Sequence, residues 1–129
     1  MMLQAPYAAY QAVQTTTADP AQVILLLFEG AARFLRQAEQ GLERGDAAGF
    51  AYPLSRAHAI IAELSGSLDR DAGGEAAANL DCLYDFMLRH LNQGLAAKSR
   101  THLAQVGLVL RELREGFEGA VRQLRHEPA

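Results

Sequence analysis

Apolar residues recur along this chain at steps of three and four, and no stretch alternates apolar with polar in the manner of a strand. That spacing gathers side chains on one face of a helix. Four such stripes follow one another. Ile24, Phe28, Ala31, Leu35, Ala38 and Leu42 predict a first helix over about 20–44, and Leu54, Ala57, Ile61, Leu64 and Leu68 a second over about 47–70. Leu80, Leu83, Tyr84, Met87, Leu91 and Leu95 predict a third over about 75–95. Leu103, Val106, Leu110, Leu113, Phe117, Val121 and Leu124 predict a fourth over about 101–126.

Local signals mark the ends. Asp19 can cap free amides, Pro20 suits a first helical position that needs no donor, and Gln22 completes a capping-box pattern. Gly45 supplies a stop. Pro53 is expected in a first turn, which would start the regular second helix nearer Ala51 than Asp46. Gly73-Gly74 is expected to break the chain before the third helix, and Ala97-Lys98-Ser99-Arg100 forms the last turn. Short connections make successive helices antiparallel, so the expected fold is all-α, an up-and-down four-helix bundle. Residues 19–126 form that bundle, residues 1–18 a mobile N-terminal cap segment, and residues 127–129 a tail.

Several apolar groups fall off the stripes. At 100° per residue, Leu26 lies opposite the first stripe beside Gln22, Arg33 and Gln37. Cys82 and Phe86 share a side of the third helix with Asn79, Arg89 and Gln93. Leu108 shares a side of the fourth with Glu112 and Glu115. One exposed leucine carries no message, but a group of them marks a surface that something covers. Two covers are open. Tyr7 and Tyr10, ahead of the first helix, can close over a patch as a detachable clasp, or an amphipathic segment of another protein can dock there and displace it. Gly107, Gly116 and Gly119 add a second signal, since each costs a helix interior about 1 kcal/mol relative to alanine. Close packing on a neighbouring helix is favoured for Gly116; for Gly107 the close approach of a partner is equally open.

Composition narrows the classes. Of 129 residues, 12 are Lys or Arg and 15 Asp or Glu, with both signs scattered, which argues against a nucleic-acid partner. Cys82 is the single cysteine, and the start of the chain lacks the charged and apolar regions of a secretory leader, so the expected compartment is the cytoplasm. The longest apolar run, Val23 to Phe28, is about a third of the roughly 20 residues a bilayer span needs, and no membrane insertion is expected.

Candidate chemistry is sparse. A di-iron bundle needs Glu-x-x-His on two helices, and the sequence has none. His58, His90, His102 and His126 follow no zinc spacing and read as surface or edge residues. Haem attachment, a phosphate-binding loop and a nucleophile elbow are likewise missing from the pattern. The expectation is a non-enzyme with no catalytic residues, no metal and no cofactor.

The ordered set Pro6-Tyr7-x-x-Tyr10-Gln11, Pro20, Ile24-Leu25-Leu26-Leu27-Phe28-Glu29-Gly30-Ala31 and Ile60-Ile61-x-Glu63-Leu64-x-x-Ser67-Leu68-Asp69 resembles the flagellar secretion chaperone family FliS. So do Gly73-Gly74-Glu75-x-Ala77-x-Asn79-Leu80-x-x-Leu83-Tyr84-Asp85-Phe86-Met87 and Leu110-Arg111-Glu112-Leu113-Arg114-Glu115. Phe117 departs from the family's usual tryptophan, and Phe28 and Phe86 stand where tyrosine is common, which removes a hydroxyl from each place. The resemblance implies a cytoplasmic export chaperone that binds the disordered C-terminal region of flagellin, prevents premature polymerisation and aids delivery to the flagellar type III export gate. It implies Tyr7, Tyr10 and Gln11 as the cap, and the outward-projecting Leu26, Asn79, Cys82, Phe86 and Leu108 fit the partner-binding surface that such a client needs. A weak homodimer stays open, and the alternative reading is a self-associating structural or regulatory bundle.

Overall fold

In a computed structural model of the chain, which describes residues 19–126, four helices run α1 Pro20–Glu43, α2 Ala47–Gly66, α3 Arg70–Ala97 and α4 Arg100–His126. Each helix packs on the next, and α4 returns to α1, which closes the all-α up-and-down bundle. The expected cap segment, residues 1–18, and the tail, residues 127–129, lie outside the described residues.

The α1–α2 turn combines two devices. Gly45, at φ 69°, ends α1 in the left-handed region, with its N–H donating to Leu42 O and that of Asp46 to Gly41 O. The Asp46 carboxylate then accepts from Gly49 N at 2.9 Å and starts α2. Because the helix begins here, Pro53 sits two turns inside it and not in a first turn as the sequence suggested. A proline there leaves the carbonyl four residues earlier, on Gly49, without its helical donor. Gly41 of α1 rests against that carbonyl, and a Cβ at Gly41 would lie well inside its van der Waals surface and 2.6 Å from Phe50 N.

At α3 the chain departs again from expectation. The link between helices is Ser67-Leu68-Asp69, and Asp69 caps a single turn by accepting from Ala72 N at 3.0 Å. Gly74 then takes φ 56° and ψ −131°, a kink open only to glycine, before the helix resumes. Lys98 ends α3 at φ 51°, with Ser99 N donating to Gly94 O, and Ser99 Oγ accepts from His102 N to start α4.

The first two stripes are buried apart from Leu42, which is half-buried. In the third stripe Tyr84, Met87 and Leu91 are buried, but Leu83 and Leu95 are 38% and 40% exposed. Phe28 of α1 and Phe117 of α4 meet with ring centroids 6.1 Å apart, so phenylalanine serves in the core. Along the α1–α4 seam, arginines of α4 meet acids of α1: Arg125 with Asp19 at 2.9 Å, Arg114 with Glu29 at 3.5 Å and Arg100 with Glu43 at 2.6 Å.

A candidate docking face on alpha3 and alpha4

Leu26, Phe86 and Leu108 project outward as the helical projection predicts, at 55%, 39% and 50% exposure. Asn79 and Cys82 are exposed as well. On α3, Asn79, Leu83, Phe86 and His90 follow one another at four- and three-residue steps, so they share the side turned toward α4. Leu83 was missed by the sequence reading, which assigned it to the core. Its step to Phe86 was the available signal.

A short aromatic column crosses from α3 to α4. Phe86 stacks on His90 at 4.7 Å between centroids, and His90 on His102 of α4 at 4.3 Å. His90 Nε2 lies 2.5 Å from Gln105 Oε1, and His102 Nδ1 lies 2.7 Å from Ser99 Oγ. These two histidines were expected to be plain surface or edge residues; the turn at Lys98-Ser99 brings His102 back over His90. His58 of α2 is half-buried, and its Nε2 is buried without a hydrogen-bond partner among the described residues.

Further along the same seam, Asn79, Leu80, Leu113 and Gly116 wall a recess of about 240 Å³ above Phe28 and Phe117. Gly107, Gly116 and Gly119 of α4 all face open space, with nothing among the described residues, apart from their chain neighbours and the backbone of their own helix, within 4 Å of where a Cβ would stand. Close packing on a neighbouring helix, favoured for Gly116 from sequence, is therefore not what holds a glycine there. Leu108 sits between this seam and a larger groove that separates α4 from α1. Leu26 stands apart on α1. Tyr7, Tyr10 and Gln11 lie outside the described residues.

Among the described residues, no group of three or more His, Cys, Asp or Glu is placed to hold a metal ion. No described helix is long and apolar enough to cross a membrane. The class these features define is an all-α bundle with apolar side chains exposed on its outer face. The chain belongs to the FliS family of flagellar proteins, whose sequence profile matches residues 2–124. It is 32% identical over 127 residues to the flagellar secretion chaperone FliS of Bacillus subtilis (strain 168), covering 98% of this chain and 94% of that one. It is 37% identical over 103 residues to the protein of that name from Salmonella typhimurium, covering 79% and 76%. Against the flagellar secretion chaperone FliSB of Pseudomonas aeruginosa the identity is 33% over 106 residues, covering 82% and 84%.

Proposed function

We propose that this chain is a flagellar secretion chaperone whose client is the disordered C-terminal region of flagellin. It holds that region in the cytoplasm against premature polymerisation and carries it to the flagellar type III export gate. Membership of the FliS family supports the role, and the observation that carries the site is the exposure of Phe86 beside Leu83 and Asn79 on α3, with Leu108 on the neighbouring helix. A disordered client spends part of its binding energy on ordering itself, so it needs a long surface with several apolar anchors and not one deep pocket. Leu26, Asn79, Cys82, Phe86 and Leu108, spread over three helices, supply such a surface. The face requires no catalytic group.

The test is calorimetric titration of the full chain with the C-terminal segment of flagellin, followed by circular dichroism of the mixture. Stoichiometric binding with a gain of helix is expected. Phe86→Asp should weaken binding by about 1.5–3 kcal/mol, the usual return for burying a large apolar side chain, or roughly 10- to 150-fold in Kd. Loss of the bundle's helical signal in that variant would make Phe86 a structural residue and sink the assignment. No binding to a folded wild-type chain, with a dimer in size exclusion, would favour the self-associating bundle.

Tyr7, Tyr10 and Gln11 are proposed as a cover that the client displaces, with docking on the export gate as a further role. Deleting residues 1–18 should leave the bundle folded and raise its binding of a hydrophobic dye; an unchanged dye signal counts against the cover.

A further inference from the structure

The groove between α1 and α4, about 590 Å³, joins a bed of the almost fully buried Phe28 and Leu35, with the exposed Leu108 beside it, to a rim of four arginines, Arg33, Arg36, Arg111 and Arg114. Two acids share the rim: Glu29 pairs with Arg114 at 3.5 Å, and Glu39 lies 3.9 Å from Arg100, which closes on Glu43 at 2.6 Å. Arg33, Arg36 and Arg111 are exposed, and no acid among the described residues pairs with them. The whole chain carries a net charge of −3, so three unanswered guanidinium groups along one groove run against its overall balance. A scattered surface would not concentrate them beside the exposed Leu108 and the open space at Gly107.

We infer that this groove docks an amphipathic helical segment of the client in which carboxylates flank an apolar anchor. The anchor covers Leu108 and the bed beneath it, with the missing Cβ of Gly107 leaving room for its approach. The carboxylates answer Arg33 and Arg36 on one wall and Arg111 on the other, where forked guanidinium donors match carboxylate oxygens. Arg33 and Arg36 stand three residues apart, one helical turn, so acids a turn apart on the client meet both. Residues 1–18 of this chain contain no Asp or Glu and cannot supply these partners. The inference rests on the client-binding reading above and adds the chemistry of one client segment and its place on the bundle.

Two synthetic helical peptides test it, identical in their leucine stripe and flanked by glutamates in one and by lysines in the other. Anisotropy titrations with the full chain, at roughly 50 and 500 mM salt, read the charge term directly. The glutamate peptide should bind about tenfold more tightly than the lysine peptide at low salt, from three pairs each of modest surface strength, and lose that advantage at high salt. The combined Arg33→Glu, Arg36→Glu and Arg111→Glu variant should stay helical and reverse the preference. Equal affinities, no binding of either peptide, or a preference unchanged in the variant would overturn the inference. Binding of the glutamate peptide only after deletion of residues 1–18 would do so too, by naming that segment as the occupant. A concentration-dependent dimer abolished by the triple substitution would place a second copy there, with the same consequence. Flagellin titration stands as a separate readout: flagellin binding without charge preference removes this groove alone, and charge preference without flagellin binding removes the flagellin reading alone.

Discussion

Gly41, Leu42, Gly45 and Asp46 turn α1 into α2; Gly94, Leu95, Lys98 and Ser99 turn α3 into α4, and the four positions hold the same places in each hairpin. Gly41 and Gly94 carry the carbonyls that accept the closing N–H of Asp46 and Ser99. Gly45 and Lys98 take the left-handed conformation. Asp46 and Ser99 cap the following helix. The difference lies three residues further on. Gly41 faces the bare backbone of α2 at Gly49 and Phe50, whereas Gly94 faces side chains of α4, those of His102 and Leu103. The first hairpin thus meets backbone on glycine, and the second carries the stacked rings of His102, His90 and Phe86. The outer end of that column is the apolar face assigned to the client. The first hairpin closes on backbone, and the second carries the exposed Phe86 and Leu108.

The largest expected effect comes from breaking the tight contact. Alanine at Gly41 would drive a methyl into the Gly49 carbonyl and the Phe50 N–H, backbone atoms that cannot turn aside. Gly41→Ala should cost about 3 kcal/mol, at the upper end for overpacking. At Gly94 the added methyl would meet His102 Cβ and Leu103 Cδ1, both at 2.9 Å. Leu103 Cδ1 ends a side chain but His102 Cβ is fixed to its backbone, so only one of the two contacts can turn aside, and Gly94→Ala should cost about 2 kcal/mol. Urea unfolding of both variants checks the order. A Gly94 variant less stable than the Gly41 variant would show that the two hairpins do not differ in tightness as their contacts indicate.

The residue at the left-handed position sharpens the same comparison with the opposite sign. Lys98 holds φ 51° at the place where the first hairpin uses Gly45. A side chain there costs roughly 1 kcal/mol that glycine avoids, so Lys98→Gly should stabilise the bundle by about that amount. Thermal unfolding is the readout, and a lower midpoint would mean that the Lys98 side chain holds something at the end of α3 that its backbone angle does not reveal.

Most of the fold was legible because bundle helices declare themselves by period. All four stripes point inward over most of their length, and the Asp19-Pro20 start falls where its chemistry requires. The misreadings share a cause. Pro53 and Gly73-Gly74 were read by their intrinsic habits, but Asp46 and Asp69 cap their helices earlier, and tertiary packing then accommodates the proline inside α2 and the kink inside α3. Leu83 and Leu95 satisfy the core period and are still exposed, because a stripe states direction and not how closely the facing helix comes. The outward set of Leu26, Phe86 and Leu108 was legible for the converse reason, as residues too far round the helix to reach any core. The aromatic column was not, since His90 and His102 meet only through a turn whose geometry no local pattern encodes. The arginine groove was hidden in the same way, its two walls lying far apart in sequence.

The smallest effect separates stability from use. Gly116 of α4 borders the recess of Asn79, Leu80 and Leu113 and faces open space, so nothing in the described fold demands a glycine there. Gly116→Ala should therefore stabilise the isolated bundle, by about 0.5–1 kcal/mol, through lost freedom in the unfolded chain and better helix propensity. The tight Gly41 contact predicts the reverse sign for the same chemical change, which makes the pair a direct probe of where the bundle is closed and where it is open. Client binding adds the second axis. If the recess receives a client side chain or backbone, the new methyl occupies its space, and flagellin affinity should fall severalfold while the unfolding midpoint rises. A stabilised variant that binds the flagellin segment as the wild type does would leave Phe86 and Leu108 as the anchors and take the recess out of the docking face.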